Sequence, residues 1–451
     1  MFTLKEADVA GVFYQKEPKA LLAEVLGLKK SIERQYECSS RAVIAPHAGY
    51  IYSGKLAASA LQYLGKGTKN IFIFSPAHRI AFDGMAICDY SGFKTPLGEV
   101  PVNNTVNGEL LKNFGCKLFD GAFDGEHAVE VQLPILQTHL EGIKIVPIIV
   151  GNTRCDDVAK IIEKFWADRS NSFVISSDLS HFHGYEEAIE LDSATHNAIE
   201  NCTIENFSPE CACGATSIRG LVNFAAKSDF SLIRIGAYNS GEVSGDKSRV
   251  VGYGAWMLVE SSKNQFIKEH FAGNIISICR KSIETALKRV NNFMPANVPE
   301  VLKQLGASFV TLEIDGNLRG CIGSIHAYQP LIADLIQNAR NAAFGDTRFP
   351  PLTAEEFKKI TINVSLLSHP QKIKFENEGG LLDAIVPNVD GVIIRDGIFQ
   401  AVYLPCVWEQ LPDKKEFLMS LKLKAGLPRN HFSKTFEAFK FSSEYFREAD
   451  L

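Results

Sequence analysis

The sequence predicts an α/β domain with a largely parallel sheet, followed by an α+β domain. In the first part of the chain, short apolar runs that are typical of buried strands alternate with helix-forming segments. A polar stretch at residues 260–265 then fits a linker, and beyond it the pattern changes to hairpins and separate helices. The 451 residues suffice for two domains, each with its own core. We expect these domains at residues 1–262 and 266–451.

Periodicity and composition define the elements of the first domain. The helix at residues 156–166, for example, places Val158, Ile161 and Phe165 on one apolar stripe. The predicted strands centre on Ile44 and Ile73 and then cover residues 143–150, 173–176, 232–236 and 250–259; the predicted helices cover residues 54–61, 106–114, 156–166 and 188–199. The stretch from the Ile73 strand to about Val102 is rich in Gly, Asp and Pro, and we expect it to be irregular.

The second domain begins with an amphipathic helix whose apolar stripe runs from Ile275 to Val290. A hairpin turn is predicted at Asp315 and Gly316, and Gly426 is predicted to end a helix. The remaining expectations are strands at residues 307–314 and 360–366, a hairpin at 392–402, and helices at 331–343 and 417–425.

Charge and composition exclude several classes of protein. The net charge is −5 and no long run of Lys and Arg occurs, so nucleic acid is not an expected partner. The apolar runs are too short to span a bilayer, and Lys5, Glu6 and Asp8 stand where a signal peptide needs an apolar core. The ten cysteines form no CxxC pair, which favours a reducing cytoplasm. Cys211 and Cys213 are expected to be small buried residues near a helix start.

Three apolar runs each lead into a short polar loop that carries a histidine. The histidines are His47, His78 and His181. Because ligands gather at the carboxyl ends of parallel strands, we expect these side chains to share one metal or acid/base site.

The residue types around these histidines suggest individual roles. His47 and His78 are the expected metal ligands, since two imidazoles and one carboxylate suit non-haem Fe(II). The loop after residue 236 offers Glu242 or Asp246 as the third ligand, and we favour Glu242, whose alternative is a solvated turn carboxylate.

Two further groups are expected to act beside the metal. His181 is assigned as a general acid/base, oriented or charged by Asp178. If residues 126–134 are helical, Glu126 and Glu130 share a face, and His127 either lines the pocket or belongs to a solvated face.

Several spaced motifs resemble the Memo family over about residues 1–260. They are residues 10–14 (AGVFY), 46–50 (PHAGY), 75–78 (SPAH), 126–127 (EH), 130–134 (EVQLP), 177–181 (SDLSH) and 251–253 (VGY). The resemblance implies a fold similar to class III extradiol dioxygenases and a metal pocket that holds iron or copper. His47, His78 and His181 fall on the family's pocket histidines, and Asp178 on its pocket aspartate.

One departure from the family pattern affects the expected metal. Animal Memo proteins place a cysteine ligand in the loop after the penultimate strand, whereas residues 239–249 contain no cysteine. The dioxygenase relatives use a glutamate as third ligand, which is the reason for preferring Glu242. A carboxylate is a harder ligand than a thiolate and favours iron, with copper or zinc as alternatives.

The second half carries its own candidate site. Cys321 lies between two glycines, and Arg319 would lower its pKa if the two side chains converge; the alternative is a small buried residue in a tight turn. Residues 318–323 (LRGCIG), 345–349 (GDTRF), 403–405 (YLP) and 424–427 (KAGL) resemble the AMMECR family over about residues 266–451.

The fusion of both halves resembles system proteins B and A of the bacterial and archaeal AmmeMemoRadiSam system. That resemblance implies a radical SAM protein as partner.

Together these features predict a cytoplasmic, metal-dependent enzyme, an oxidoreductase of dioxygenase-like type that acts on an unknown small organic substrate. One alternative is hydrolysis or acyl chemistry with Cys321 as nucleophile. Another is a binding or scaffold protein that presents a substrate to the radical SAM partner.

Overall fold

The computed structural model describes residues 3–203, 205, 207, 210–290 and 293–451. The chain divides into two compact units, Met1–Ser262 and Lys263–Leu451. In the part of the chain that the structure describes, none of the helices combines the length and the apolar character that a membrane crossing requires.

The first unit alternates strands and helices, with several short strands between β3 and α3. Its strands are β1 (Leu4–Lys5), β2 (Ala42–Ala45), β3 (Asn70–Pro76), β4 (Met85–Ile87), β5 (Gly92–Thr95), β6 (Gly98–Pro101), β7 (Lys117–Leu118), β8 (Lys144–Val150), β9 (Asn171–Ser176), β10 (His181–His183), β11 (Ser231–Asn239) and β12 (Val250–Val259). Its helices are α1 (Pro18–Lys30), α2 (Lys55–Leu61), α3 (Asn104–Asn113), α4 (Leu133–His139), α5 (Cys155–Trp166), α6 (Tyr185–Glu200), α7 (Ala215–Lys227) and α8 (Ser240–Ser244). A turn of π-helix, Tyr50–Gly54, precedes α2.

The main sheet has nine strands, and its centre is parallel. The strand order is β10-β12-β2-β9-β3-β8-β4-β7, with β11 paired to β12. Strands β2, β9, β3 and β8 run parallel to one another, whereas β12 joins β2 and β4 joins β8 in antiparallel fashion. The four central strands consist almost wholly of buried residues, because helices cover both faces of such a sheet.

The α/β prediction is thus confirmed for the centre of the sheet, and two local expectations are wrong. The stretch expected to be irregular contains β4, β5 and β6, which are too short for periodicity to reveal them. The polar stretch at residues 260–265 is not all linker, because a long helix begins at Lys263.

The second unit is α+β, as predicted. Its helices are α9 (Lys263–Leu287), α10 (Glu300–Lys303), α11 (Leu331–Phe344), α12 (Ala354–Phe357), α13 (Glu378–Ala384) and α14 (Lys414–Lys424). Its strands are β13 (Leu305–Ile314), β14 (Asn317–Gly323), β15 (Gln329–Pro330), β16 (Thr361–Leu367), β17 (Gln371–Lys372), β18 (Gly391–Asp396), β19 (Phe399–Tyr403), β20 (Glu437–Phe441) and β21 (Ser443–Arg447). They form two antiparallel sheets, one ordered β14-β13-β16-β21 with β15 on β13, the other β17-β20-β18-β19.

Both predicted hairpins form, and the turn chemistry explains the first. Asp315 and Gly316 have φ of 51° and 76°, the left-handed pair that a two-residue hairpin turn requires. Gly426 also has a positive φ, 82°, directly after α14 and Ala425.

Two helical glycines of the first unit allow a matched test of the close contact between α5 and α7. A Cβ on Gly220 in α7 would lie 2.6 Å from the Cβ of Val158 in α5, whereas a Cβ on Gly108 in α3 would meet nothing within 4 Å. We expect Gly108→Ala to raise the free energy of unfolding by about 0.5–1 kcal/mol, through the lower backbone entropy of the unfolded chain. Gly220→Ala should lower it by about 1–3 kcal/mol, because α5 and α7 must separate.

Thermal or urea unfolding of the full chain measures both free-energy changes, which are read from the unfolding transition of the first unit. A Gly220→Ala variant as stable as the wild type would contradict the close helix contact.

Candidate metal centre

The parallel register of the sheet brings the histidine-bearing loops to one edge. Ala45 at the end of β2 pairs with Ser176 at the end of β9, and β3 runs parallel beside β9. His47 follows β2 and His78 follows β3, so both imidazoles are delivered to the carboxyl edge of the sheet, as the sequence predicts.

Three imidazoles meet at this edge. One ring nitrogen each from His47, His78 and His127 lies within 4.8 Å of the others. The ring centroid of His47 is 5.2 Å from that of His78 and 5.3 Å from that of His127, with both ring pairs nearly perpendicular. His127 therefore lines the pocket beside His47 and His78, the two predicted ligands.

The hydrogen bonds of Ser176 fix the tautomer of His47. The Ser176 hydroxyl donates to the Ala128 carbonyl at 2.7 Å and accepts from the Gln132 side-chain amide at 2.9 Å. The His47 Nδ1, 2.9 Å from the same oxygen, must then be the donor, because the single hydroxyl proton is already used. This leaves Nε2 without a proton, so that its lone pair faces either a metal ion or the neighbouring Cys213 thiol.

Glu126 orients His78 in the same way. Its carboxylate accepts from the His78 Nδ1 at 2.9 Å, from the His78 backbone N–H at 2.8 Å, and from the Ala128 N–H at 3.0 Å. Because a carboxylate can only accept, Nδ1 of His78 carries a proton, and Nε2 is the nitrogen that offers a lone pair when the ring is neutral. A carboxylate behind a histidine is the usual support of a metal-binding imidazole.

The electrostatics of this edge favour neutral imidazoles beside one buried anion. Burial, reinforced by the neighbouring His78, lowers the pKa of His47 to about 3. Burial and His47 lower the pKa of His127 to about 4. For Glu126 burial acts to raise the pKa, but the hydrogen bond from His78 outweighs it and holds the pKa at about 2. Near neutral pH the rings of His47 and His127 are therefore neutral, which is the form of an imidazole that binds metals.

Cys213 also reaches this cluster. Its Sγ lies 3.3 Å from Nε2 of His47 and accepts from the Asp178 backbone N–H. Burial, and secondarily the charge of Asp178, raises the pKa of the Cys213 thiol to about 12. As expected from the sequence, Cys213 is close to a helix start, since α7 begins at Ala215. The sequence analysis missed its contact with His47, although a cysteine directly before a helix is a recognisable environment for a reactive thiol.

Asp178 and His181 lie next to the cluster. The Asp178 carboxylate accepts from the His47 backbone N–H at 2.8 Å, and burial raises its pKa. His181 begins β10, and its charge influences the pKa values of both His47 and Asp178. The acid/base roles of these two residues stay predictions.

Glu242, the expected third ligand, caps the N-terminus of a short helix in this structure. Asn239 and Glu242 form a capping box at the start of α8, in which the Glu242 Oε1 accepts from the Asn239 backbone N–H at 3.2 Å. Asp246 forms a turn with Ser248. Neither carboxylate belongs to the histidine group. The group near His47 and His78 instead contains a third imidazole with a thiol beside it, and the role of Glu242 as a metal ligand stays a prediction.

The segment around His127 is a turn and not a helix. Glu126 and Glu130 therefore do not share a helix face. The helix α4 begins later, at Leu133, and has Pro134 in its first turn. Glu126 faces His78, whereas Glu130 faces the N-terminal segment and accepts from the Tyr14 hydroxyl at 2.6 Å.

The same Glu130 holds the N-terminal segment over the site. It also accepts from the backbone N–H groups of Asp8 and Val9, at 2.8 and 3.0 Å. This places the Phe13 ring 4.6 Å from the His127 ring. The AGVFY motif at residues 10–14 thus forms part of the wall of the site.

A cleft of about 570 Å³ opens beside the cluster. His78 and Cys213 lie on its wall, together with the first turn of α7. A small molecule in this cleft would have direct access to the exposed imidazole of His78.

In the second unit, Arg319 pairs with an acidic residue and not with Cys321, whose pKa it was expected to lower. The Arg319 guanidinium pairs with the Glu356 carboxylate at 2.9 Å, so its charge is neutralised there. Arg348, itself paired with Asp346 at 2.7 Å, contacts the Cys321 carbonyl instead. Cys321 is half-buried, and its Sγ accepts from the Thr311 hydroxyl at 3.2 Å.

Comparison with family models agrees with the division of the chain. A Memo-like protein model matches residues 5–257, and an AMMECR1 model matches residues 276–446. The first match covers more than half of the chain.

Individual relatives are found among archaea and animals. A MEMO1 family protein of Caldivirga maquilingensis is 31% identical over 283 residues, which cover 56% of this chain and 98% of that protein. Protein MEMO1 of Xenopus laevis is 32% identical, with 44% of this chain and 70% of that protein covered. A protein of Methanothermobacter thermautotrophicus is 38% identical over 39% of this chain and 92% of its own length.

Among solved structures, an uncharacterized protein from Pyrococcus horikoshii matches with 32% identity and a TM-score of 0.37, covering 39% of this chain and 90% of that chain. The family models and the relatives lead to one conclusion: the chain belongs to the Memo family, and it joins a Memo domain to an AMMECR1 domain.

Proposed function

We propose that the first unit holds a single transition-metal ion and uses it for chemistry on a small organic substrate. The observation that supports this is the group of three imidazole nitrogens within 4.8 Å of one another. His47 and His78 are oriented for the task, because each uses Nδ1 for a hydrogen bond and so leaves Nε2 as the nitrogen that would bind the ion.

The third donor in this proposal comes from His127 or Cys213. The Nδ1 of His127 is buried and makes no hydrogen bond to any residue that the structure describes, although the Glu126 Oε1 lies 3.6 Å away. The Cys213 sulfur lies on the Nε2 side of His47, and a bound cation would lower the pKa of its thiol. Either donor set fits iron, copper or zinc. The argument that favoured iron rested on Glu242, so the donor set no longer separates these three metals.

The proposed reaction class is oxidoreductase or dioxygenase-like chemistry, in line with the expected resemblance to extradiol dioxygenases. The ion would supply a Lewis acid with open coordination positions and, if iron or copper, a redox centre. The chain's own residues bind the substrate in the cleft beside His78, and His181 moves protons with Asp178 as its charge partner.

The partner in this proposal is a radical SAM protein, which supplies or consumes the substrate. The joining of a Memo and an AMMECR1 domain in one chain supports it, since the same pair accompanies such a protein in the system that the sequence resembles.

Removing two ligands tests the metal centre. We expect wild-type protein, purified without oxygen, to carry close to one metal ion per chain, and the His47→Ala/His78→Ala double variant to carry less than about a tenth of that. Elemental analysis gives both the identity and the amount of the metal.

The matched control is His183→Ala. His183 is the last residue of β10 and pairs with Glu187 outside the histidine cluster. The variant should therefore keep its metal. Equal metal content in the wild type and the double variant would end the proposal.

A second pair of variants tests the support behind His78. Glu126→Gln removes the charge that orients His78 while it keeps the side-chain volume, and it should weaken metal binding by about 10- to 100-fold. Glu130→Gln removes an equally buried carboxylate whose partners are Tyr14 and the N-terminal backbone. It should lower thermal stability with little effect on metal affinity. A competition titration with a chelator measures the affinities, and equal affinities in both variants would refute the role of Glu126.

A separate observation favours a thiol reaction at Cys321 as a second candidate function. The Thr311 hydroxyl donates to Sγ, which stabilises a thiolate more than a thiol. A thiolate in these surroundings would be a nucleophile for acyl transfer.

Mass spectrometry after brief iodoacetamide treatment at about pH 6 tests this candidate. We expect Cys321 to be labelled before the other cysteines, and Thr311→Val to slow its labelling by about two- to tenfold, because one hydrogen bond to sulfur is lost. Buried Cys279 is the internal control and should stay unlabelled until the chain unfolds. An unreactive Cys321 removes the thiol reaction.

A further inference from the structure

We infer that the second unit binds a small organic phosphate in a cleft of its own, which three lysines line. This lysine cleft has a volume of about 550 Å³, and its walls are residues 372–375 and residues 434–437. The inference concerns the second unit alone, and no residue of the proposed metal centre takes part in it.

The lysine cleft lies where the pairing of β17 with β20 ends. The two residues of β17 pair with Lys440 and Phe439 of β20. One more backbone hydrogen bond follows, from the Ile373 N–H to the Ala438 carbonyl at 2.9 Å. The cleft lies beyond this bond, between the segment that continues from β17 and the segment that leads into β20. A hydrogen-bonded strand pair therefore fixes the distance between the two walls at one end.

The charges on the lining of the lysine cleft are unbalanced. Among the described residues, three lysines line it but only one carboxylate, that of Glu437. The lysines are Lys372, Lys374 and Lys434. Glu437 is already paired with Lys372 at 2.5 Å and with Arg395 at 2.5 Å, and these two cations hold the pKa of its carboxyl below the ordinary value. Neither Lys374 nor Lys434 pairs with a carboxylate in the part of the unit that the structure describes.

A further carboxylate, that of Asp396, contacts the wall at Thr435 without lining the cleft. It accepts from the Thr435 hydroxyl at 2.7 Å and from the Ser433 hydroxyl at 2.7 Å, and it contacts Nε2 of His431 at 2.5 Å. Its oxygens are occupied by these hydrogen bonds, and the lining itself keeps its excess of positive charge.

This excess of positive charge matches a phosphate better than a carboxylate. Three ammonium groups and one carboxylate leave two positive charges on the lining. A phosphate monoester carries about −1.5 to −2 near neutral pH, whereas a carboxylate carries a single negative charge. Lysine side chains bind phosphates as point charges. Because the whole chain has a net charge of −5, the local excess is not part of a generally basic protein.

The apolar part of the lining indicates that the phosphate belongs to an organic molecule. Ile373, Phe375 and Phe436 also line the lysine cleft. The centroid of the Phe436 ring lies 6.4 Å from that of Phe375 and 5.3 Å from that of Phe432, so these rings support one another. An inorganic ion gains nothing from apolar neighbours, whereas the burial of a ring or an alkyl group there is favourable. The volume of about 550 Å³ is in the range of small-molecule sites.

Isothermal calorimetry of the full-length protein with three probes tests the inference. Phenyl phosphate carries both a ring and a phosphate, inorganic phosphate lacks the ring, and benzoate lacks the second negative charge. We expect phenyl phosphate to bind at least about threefold more tightly than either of the other probes. Its binding should weaken as the salt concentration is raised, because ions screen the ammonium groups.

The decisive variant is Lys374→Gln/Lys434→Gln. Both lysines are exposed, so the variant should fold, and the loss of two of the three ammonium groups should weaken the binding of phenyl phosphate at least about tenfold. The matched control is Lys358→Gln/Lys359→Gln, which removes two exposed lysines of the same unit that do not line the cleft. The control should bind within about twofold of the wild type, since distant exposed charges are screened.

A variant with the opposite effect separates charge from damage to the fold. Glu437→Gln removes the one carboxylate of the lining and frees Lys372 from its ion pair. Binding of phenyl phosphate should therefore tighten by about two- to fivefold. A substitution that merely disturbed β20 would weaken binding instead.

Any of three results would overturn the inference. They are the absence of phenyl phosphate binding to the wild type at millimolar concentration, equal affinities of the two lysine double variants, and binding of benzoate or inorganic phosphate as tight as that of phenyl phosphate. Phosphate bound by the first unit would be common to all these proteins, so the comparison of variants reports the second unit alone. The metal proposal and this one therefore succeed or fail separately.

Discussion

The candidate site depends on the parallel alignment of β2, β9 and β3. Alignment in register puts the end of β2 beside the end of β9, so that the Ser176 hydroxyl can bond His47 from the neighbouring strand. The same oxygen also binds Gln132 and the Ala128 carbonyl, which joins the loop of His127 to the sheet. One buried hydroxyl thus ties together two of the three imidazoles, and its three hydrogen bonds leave it no freedom to rotate.

Electrostatics determines which atoms of the site are available. Buried imidazoles resist protonation, since a charge in the interior is poorly solvated. Glu126 stays ionised at the same depth because three N–H groups converge on its two oxygens. The fold therefore holds one anion behind a cluster of neutral rings, which prepares the cluster for a cation that arrives from the cleft.

Sequence patterns locate the site residues that come directly after a strand and miss those that distant loops bring in. His47 and His78 are predictable because apolar runs indicate strands, and parallel strands share an edge. The capping role of Glu242 also has a local signal, which the ligand hypothesis did not use: Asn239 and Glu242 are spaced as a capping box, which predicts a helix start. The contact between Cys213 and His47 joins residues 166 positions apart, and no local pattern encodes such a distance. Short strands such as β4 and β7 escape prediction because two or three residues carry no period.

The attachment of the N-terminal segment has a practical consequence. Phe13 lies against His127 in a segment that Glu130 holds through Tyr14 and the backbone of Asp8 and Val9. Shortened versions of this polypeptide that start after residue 14 would keep every histidine and every strand of the main sheet, yet would lose a wall beside the imidazoles. Water would then reach the His127 ring from that side, and such a fragment would misrepresent the environment in which the intact protein works.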